Sequence, residues 1–188
     1  MPLLLLTVLT AAPISDARGF TFQVPEGFSE FPGFTPTGNK LYAFGKDVGT
    51  PQAIALTIDA VETPVTPGQP SVACGKLMKI DRTVNSPMKE QWQGTELVGV
   101  RMVMTQMFGE IVIFCLDVPV QPNGVTLMVS GKSANEAALR DAFTATLGSI
   151  STPREESRRF VIPLAALLSV IFLFVFVRRI RGASRSSR

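Results

Sequence analysis

The amino-acid sequence predicts an α+β domain built on an antiparallel sheet covered by helices on both faces, followed by one C-terminal transmembrane helix. Three observations predict it. Residues 97–107, 111–118 and 125–130 are strand-like runs separated by short turn-forming segments, the pattern of an antiparallel meander. Leu139, Phe143, Leu147 and Ile150 then recur at helical spacing. Residues 160–177 are apolar apart from Ser169. At about 1.5 Å per residue they reach about 27 Å, close to the hydrocarbon thickness of a bilayer.

Residues 1–17 open with an apolar run over 2–9, pass through small residues and reach Ser15-Asp16-Ala17, a small-x-small pattern suited to signal peptidase. Cleavage there leaves Arg18 at the new terminus. Met1 alone supplies positive charge before the run, and the competing reading is a buried first strand or helix. Residues 20–24 alternate with period two and stop at Pro25-Glu26-Gly27, a strand and a turn. Residues 33–38 are loop-like and 41–44 a short strand. Residues 53–61 form a longer strand, with Ile54, Leu56 and Ile58 on one face and Thr57 and Asp59 on the other. The three prolines of 63–70 make a connector. Residues 72–84 place Ala73, Leu77, Ile80 and Val84 at helical spacing beside Cys74 and Met78, an amphipathic helix.

Within the meander, Phe108-Gly109-Glu110 joins the first pair and residues 119–124, with Pro122-Asn123-Gly124, the second. Val98, Val100, Met102 and Met104 line one face, Leu97 and Val103 the other, and residues 111–116 are apolar on both. A sheet buried on both sides needs such a strand. Ser133 then offers a cap, Glu136 completes a capping box, and the helix ends near Gly148 with Glu136, Arg140 and Thr144 toward solvent.

The chain has 18 Lys and Arg against 15 Asp and Glu, but residues 18–152 hold ten basic and twelve acidic side chains. The positive excess lies in Arg178, Arg179, Arg181, Arg185 and Arg188, with no acid among them, whereas Arg158 and Arg159 are accompanied by Glu155 and Glu156. This is a membrane flank rather than a nucleic-acid footprint, and it orients the tail to the cytoplasm. The expected organisation is a signal peptide at 1–17, an exported α/β domain at 18–152 and a juxtamembrane linker at 153–159. A transmembrane helix at 160–177 and a basic cytoplasmic tail at 178–188 complete it. Pro163 falls in the first turn of the span, where a helix tolerates it. The expected location is the inner or plasma membrane, with the bilayer a partner through the C-terminal helix and nucleic acid excluded.

There is no histidine, which removes the commonest general base, the commonest zinc ligand and the Ser-His and Cys-His nucleophile pairs. Cys74 and Cys115 form either one disulfide across a helix-sheet interface or a pair of buried thiols. Gly131-Lys132-Ser133 sits between strand and helix, but Thr126 stands where a phosphate loop requires its first glycine. Ser86-Pro87-Met88-Lys89 has the spacing of a Ser-Lys acyl enzyme without its companion elements, and reads as a loop. The carboxylates Asp59, Glu62, Glu90, Glu96, Glu110 and Asp117 are scattered. No catalytic, cofactor-binding or metal-binding residues emerge, and no cofactor is expected. Phe28, Phe31, Phe34 and Trp92 are large aromatic groups in segments too polar or glycine-rich for the sheet, and are the candidate binding surface. For Trp92 the competing position is beneath a loop.

The order of strand, paired strands, helix, three-strand meander and closing helix begins with Phe22-Gln23-Val24-Pro25-Glu26-Gly27-Phe28. This layout resembles the PsbP-like and Mog-like α/β/α sandwich domains over residues 19–151. The resemblance implies a binding or assembly protein without a catalytic motif, and the C-terminal anchor departs from the family's usual soluble or lipidated forms. The expected function is a non-enzymatic, membrane-anchored extracytoplasmic binding or assembly module with an envelope or membrane protein as partner. The alternatives are a small tethered hydrolase using a Ser-Lys or carboxylate site, and an accessory subunit of a larger membrane complex.

Overall fold

Apolar side chains recurring at every second position, as in Ile54, Leu56 and Ile58 or Val98, Val100, Met102 and Met104, favour extended structure, because only a strand puts such a set on one face. The computed structural model describes residues 12–36, 38–69, 74–75, 83–107, 109–120 and 123–152. Its strands are β1 (Ile14–Ser15), β2 (Thr21–Phe22), β3 (Ser29–Glu30), β4 (Lys40–Lys46), β5 (Ile54–Ala60), β6 (Thr83–Trp92), β7 (Thr95–Gln106), β8 (Gly109–Val118) and β9 (Val125–Lys132). A 3₁₀ turn at Ser133–Asn135 leads into helix α1 (Glu136–Ser149). β1 and β2 pair as a small hairpin, and the other strands form a seven-stranded sheet in the order β3-β4-β5-β9-β8-β7-β6. Every neighbouring pair is antiparallel.

α1 packs on one face of the sheet through Leu139, Ala142, Phe143 and Leu147, over Leu56, Phe114, Leu127 and Val129. Phe143 and Phe114 meet with ring centroids 5.8 Å apart. Gly131 lets this layer close, since a Cβ there would lie 2.8 Å from the Ala53 carbonyl and 2.9 Å from Leu139 Cδ2. After α1, Ser151 pairs with Thr21 through reciprocal backbone bonds of 2.8 Å, so the last described residues lie against β2. The other face carries Val100, Met102, Ile113 and Cys115, with Met104, Ile111 and Met128 beside them. β5 and β6 are separated in the sheet by β9, β8 and β7, so their connection must cross the sheet. The disulfide of buried Cys74 to Cys115 places that crossing on this second face, one of the two outcomes the sequence leaves open for these cysteines.

Several expectations need correction. Of the helix expected at 72–84, Cys74 and Gly75 are helical, but Thr83 and Val84 already belong to β6, and the remainder lies outside the described residues. The strand expected at 20–24 contracts to Thr21–Phe22, because Pro25 removes a donor and turns the chain. α1 starts at Glu136 without a side-chain cap, so the capping box at Ser133 does not form. Glu136 and Arg140 do not face solvent alone. Glu136 accepts two bonds from Arg101 of β7, at 2.6 and 2.7 Å, and Arg140 reaches Glu90 of β6 and lies 5.4 Å over the Phe114 ring. The sheet is wide enough for long side chains on the helix flank to meet its outer strands. Among the described residues no helix is long and apolar enough to cross a membrane. The segments expected as linker, transmembrane helix and tail, and residues 1–11 of the expected signal peptide, lie outside the described residues.

Candidate interaction surface

The four aromatic residues singled out in the sequence are divided between the two edges of the sheet. β3 and β6 are its outer strands, so six strand spacings, about 29 Å at about 4.8 Å each, separate them. They do not form one surface.

Trp92 ends β6 and is buried, with 7% of its surface exposed, and its indole Nε1 donates to the Ile150 carbonyl at 2.9 Å. It is therefore a core residue and not an exposed anchor. The reason is the turn that follows. Gln93 and Gly94 both have positive φ, 48° and 80°, the conformation of a two-residue hairpin whose twist matches its strands. That hairpin pairs Trp92 with Thr95 and Glu90 with Leu97, and directs both Trp92 and Met88 toward α1. The dipeptide Gln93-Gly94 was the available signal. Lys89 and Gln91 belong to the opposite, solvated face, while Glu90 shares the face of Trp92 and meets Arg140.

The β3 edge is different. Phe28 is half-buried against the core and Phe34 is half-buried, while Phe31 is 39% exposed. Phe31 is held by its own backbone, its N–H donating to Ala43 of β4 at 2.9 Å and its carbonyl accepting from Phe34 at 3.0 Å. Beside it stands Val48, 48% exposed, in the β4–β5 loop. Gly45 lies beneath both: a Cβ there would come 2.4 Å from Val48 Cγ2 and 3.2 Å from Phe31 Cδ2. Two apolar side chains thus share one exposed position over a glycine that leaves them room. Val48 was not legible in the sequence, since a lone valine between Asp47 and Gly49 carries no periodicity. The other exposed large apolar groups among the described residues are Val84, near the start of β6, and Met107, in the β7–β8 turn.

Candidate chemical sites dissolve on inspection of register. Ser86 and Lys89 lie on β6, where residues three apart point to opposite faces, and Lys89 is paired with Glu96 at 2.9 Å. The serine therefore has no lysine beside it. Lys132 closes β9 and Ser133 opens the 3₁₀ turn, with Gly131 explained by the close approach of α1. On the second face, Asp59 of β5, Thr126 of β9 and Asp117 of β8 form one row across three strands. Thr126 donates to buried Asp117 at 2.6 Å. Asp59 Oδ1 and Thr57 Oγ1 are buried without hydrogen-bond partners. Burial pushes the Asp59 carboxyl above its usual range, and Lys40 opposes that shift. Among the described residues no three His, Cys, Asp or Glu side chains converge as metal ligands would.

No protein-family model matches the chain, and no curated protein matches it. Solved structures do. LpqN of Mycobacterium tuberculosis, described as involved in cell envelope biogenesis, is similar with a TM-score of 0.52 and 13% identity, over 76% of this chain and 90% of LpqN. Cyanobacterial PsbP from Synechocystis sp. PCC 6803 is similar with a TM-score of 0.46 and 10% identity, over 79% of this chain and 95% of its own. A protein of Bacteroides thetaiotaomicron has a TM-score of 0.44 and 10% identity, over 79% of this chain and 50% of its own. A PsbP protein thus stands among the structural neighbours of this chain. The likeness to LpqN shows the fold, and the fold alone.

Proposed function

We propose that this chain is a membrane-anchored extracytoplasmic module that binds an envelope or membrane protein through the β3 edge, with Phe31 and Val48 as its apolar contacts. The observation that carries the reading is the pairing of these two exposed groups over Gly45, beside a sheet edge of only two residues. Large apolar side chains left in contact with water beside free strand donors and acceptors are characteristic of recognition surfaces. Exposed Asp47 precedes Val48 in the chain, so a polar rim on the partner would meet this patch. LpqN's described role in cell envelope biogenesis is in keeping with an extracytoplasmic assignment. The apolar run at 160–177 and the arginines after it supply the anchor and its orientation. A disulfide is also at home in an oxidising compartment.

Photo-crosslinking in intact cells tests this reading. Benzoylphenylalanine at position 31 or 48 should yield one discrete membrane-protein adduct, while the same group at position 91, exposed on the opposite edge, should yield none. Equal labelling from both edges, or none from positions 31 and 48, would overturn the assignment.

A further inference from the structure

Where β5 ends and β9 begins, four separate segments enclose a cleft of about 220 Å³. It is lined by Arg18 and Phe20 between β1 and β2, by Asn39 ahead of β4, by residues 60–62 at the end of β5, and by Val120 and residues 123–125 between β8 and β9. Phe20, Val120 and Val125 are buried and make an apolar floor, whereas Arg18, Asn39 and Glu62 are exposed at the mouth. Glu62 is fixed there by two asparagines. Asn39 Nδ2 donates to Glu62 Oε1 at 2.9 Å, and Asn123 Nδ2 donates to the Glu62 carbonyl at 3.0 Å. The segments are also tied through their backbones, the Ala60 N–H donating to the Asn39 carbonyl at 2.6 Å and the Val61 N–H to the Gly124 carbonyl at 3.1 Å. Neither asparagine carries charge, so the carboxylate is held in place without being neutralised. Arg18 is placed by Asp16, which accepts its backbone N–H at 2.7 Å and also accepts the Tyr42 hydroxyl at 2.9 Å. Its guanidinium reaches the Asp16 carboxylate only through one nitrogen at 3.5 Å, and the rest of its fork has no partner among the described residues.

Arg18 and Glu62 therefore line one small space without pairing with each other. A simple anion in that space would meet the Glu62 carboxylate, and a simple cation would meet Arg18, so either gains from one group and is repelled by the other. A molecule carrying both charges gains from both. The volume falls below the about 300–1,000 Å³ of sites for drug-sized ligands, so the occupant is a single small molecule rather than a peptide. We infer that this cleft binds a zwitterionic α-amino acid with an apolar side chain. Arg18 takes the α-carboxylate, the second oxygen of Glu62 takes the α-ammonium, and the side chain covers Phe20, Val120 and Val125. The site uses neither Phe31 nor Val48, so its failure would leave the reading of the β3 edge untouched.

Cell-free synthesis of the full chain into detergent under oxidising conditions keeps the disulfide and residues 1–17, which the site needs because β1 and Asp16 hold the turn that carries Arg18. Ligand-observed saturation-transfer NMR should show saturable binding of L-leucine and L-phenylalanine. Leucinamide, which lacks the carboxylate, and isocaproate, which lacks the amine, should each bind at least about tenfold more weakly than L-leucine, as expected for losing one charge-assisted contact. Arg18→Gln should bring L-leucine down to the level of leucinamide while leaving leucinamide unchanged, and Glu62→Gln should do the same with respect to isocaproate. A merely structural role for these side chains would weaken all three ligands alike. The inference is overturned by an absence of saturable binding, by leucinamide or isocaproate binding the parent as L-leucine does, or by equal losses for all three ligands in both variants. The comparison of ligands on the parent alone decides the matter even where a variant does not fold.

Discussion

At the scale of single residues, burial decides which side chains serve the fold and which remain for recognition. Trp92 fills the core and its indole satisfies the Ile150 carbonyl just past the end of α1. Trp92→Ala should cost about 3–5 kcal/mol through the cavity it leaves. Trp92→Phe should cost about 1–2 kcal/mol through the unpaired carbonyl. Both are read from urea unfolding. Phe31→Ala, at a side chain already in water, should change stability by less than about 1 kcal/mol while abolishing the crosslink from position 48. Asp59 offers a test with a sign. Its carboxyl is raised above the ordinary 3.8 by burial, so the fold favours the protonated form. That contribution is complete below the unfolded-state value and is lost as pH rises through the raised folded value. Asp59→Asn keeps the shape and removes the charge. It should raise the thermal midpoint at pH 7 and leave it nearly unchanged at pH 3, and a fall at pH 7 would mean that the ionised carboxylate is stabilised in the fold.

Among elements, α1 and the meander were legible because each carries its own period. Leu139, Phe143, Leu147 and Ile150 repeat as a helix does and are all buried, while β7, β8 and β9 fall within two residues of their expected bounds at every end. β6 was not legible. It is an edge strand with Pro87 in its middle and polar residues on both faces, and only Met88 and Trp92 are buried. Nothing in that stretch alternates until its partner β7 is known. The flank of α1 was misread for a related reason, since Arg101 lies 35 residues from Glu136 and no local pattern announces the pair. That pair is bidentate but about a third exposed on both sides, so Glu136→Gln should cost under about 1 kcal/mol. The Arg101 bond holds the Glu136 carboxyl below its usual range. Its contribution is therefore present above the ordinary 4.5 and fades as pH falls through the lower folded value. The disulfide should matter more. It joins residues 41 apart, and closing such a loop is worth about 4 kcal/mol in the chain-entropy model. Cys74→Ala with Cys115→Ala should lower the urea midpoint by a corresponding amount, and reductant should then have no further effect.

For the whole molecule, the proposed orientation predicts that a reporter fused behind Arg188 is active only if it suits the cytoplasm, and that one inserted after Gly49 is active only if it suits the exterior. The reverse pattern would overturn the topology. Composition made this expectation possible, because the arginine excess, the apolar run at 160–177 and the lack of histidine are properties of the chain regardless of how it folds. The same holds for alternation in β5 and for the helical stripe of α1, where each residue's environment is set by neighbours two to four positions away. The tertiary structure decided what depends on distant partners. It set β5 beside β9 and β6 at the far edge, and it sent the β5–β6 connection across the second face to meet Cys115. It also drew Asp16 to Tyr42, buried Trp92, and left Phe31 and Val48 together over Gly45. Each of these joins residues whose proximity is created by sheet order. Sheet order follows from long-range pairing and the burial of two faces at once, which no local window of sequence contains.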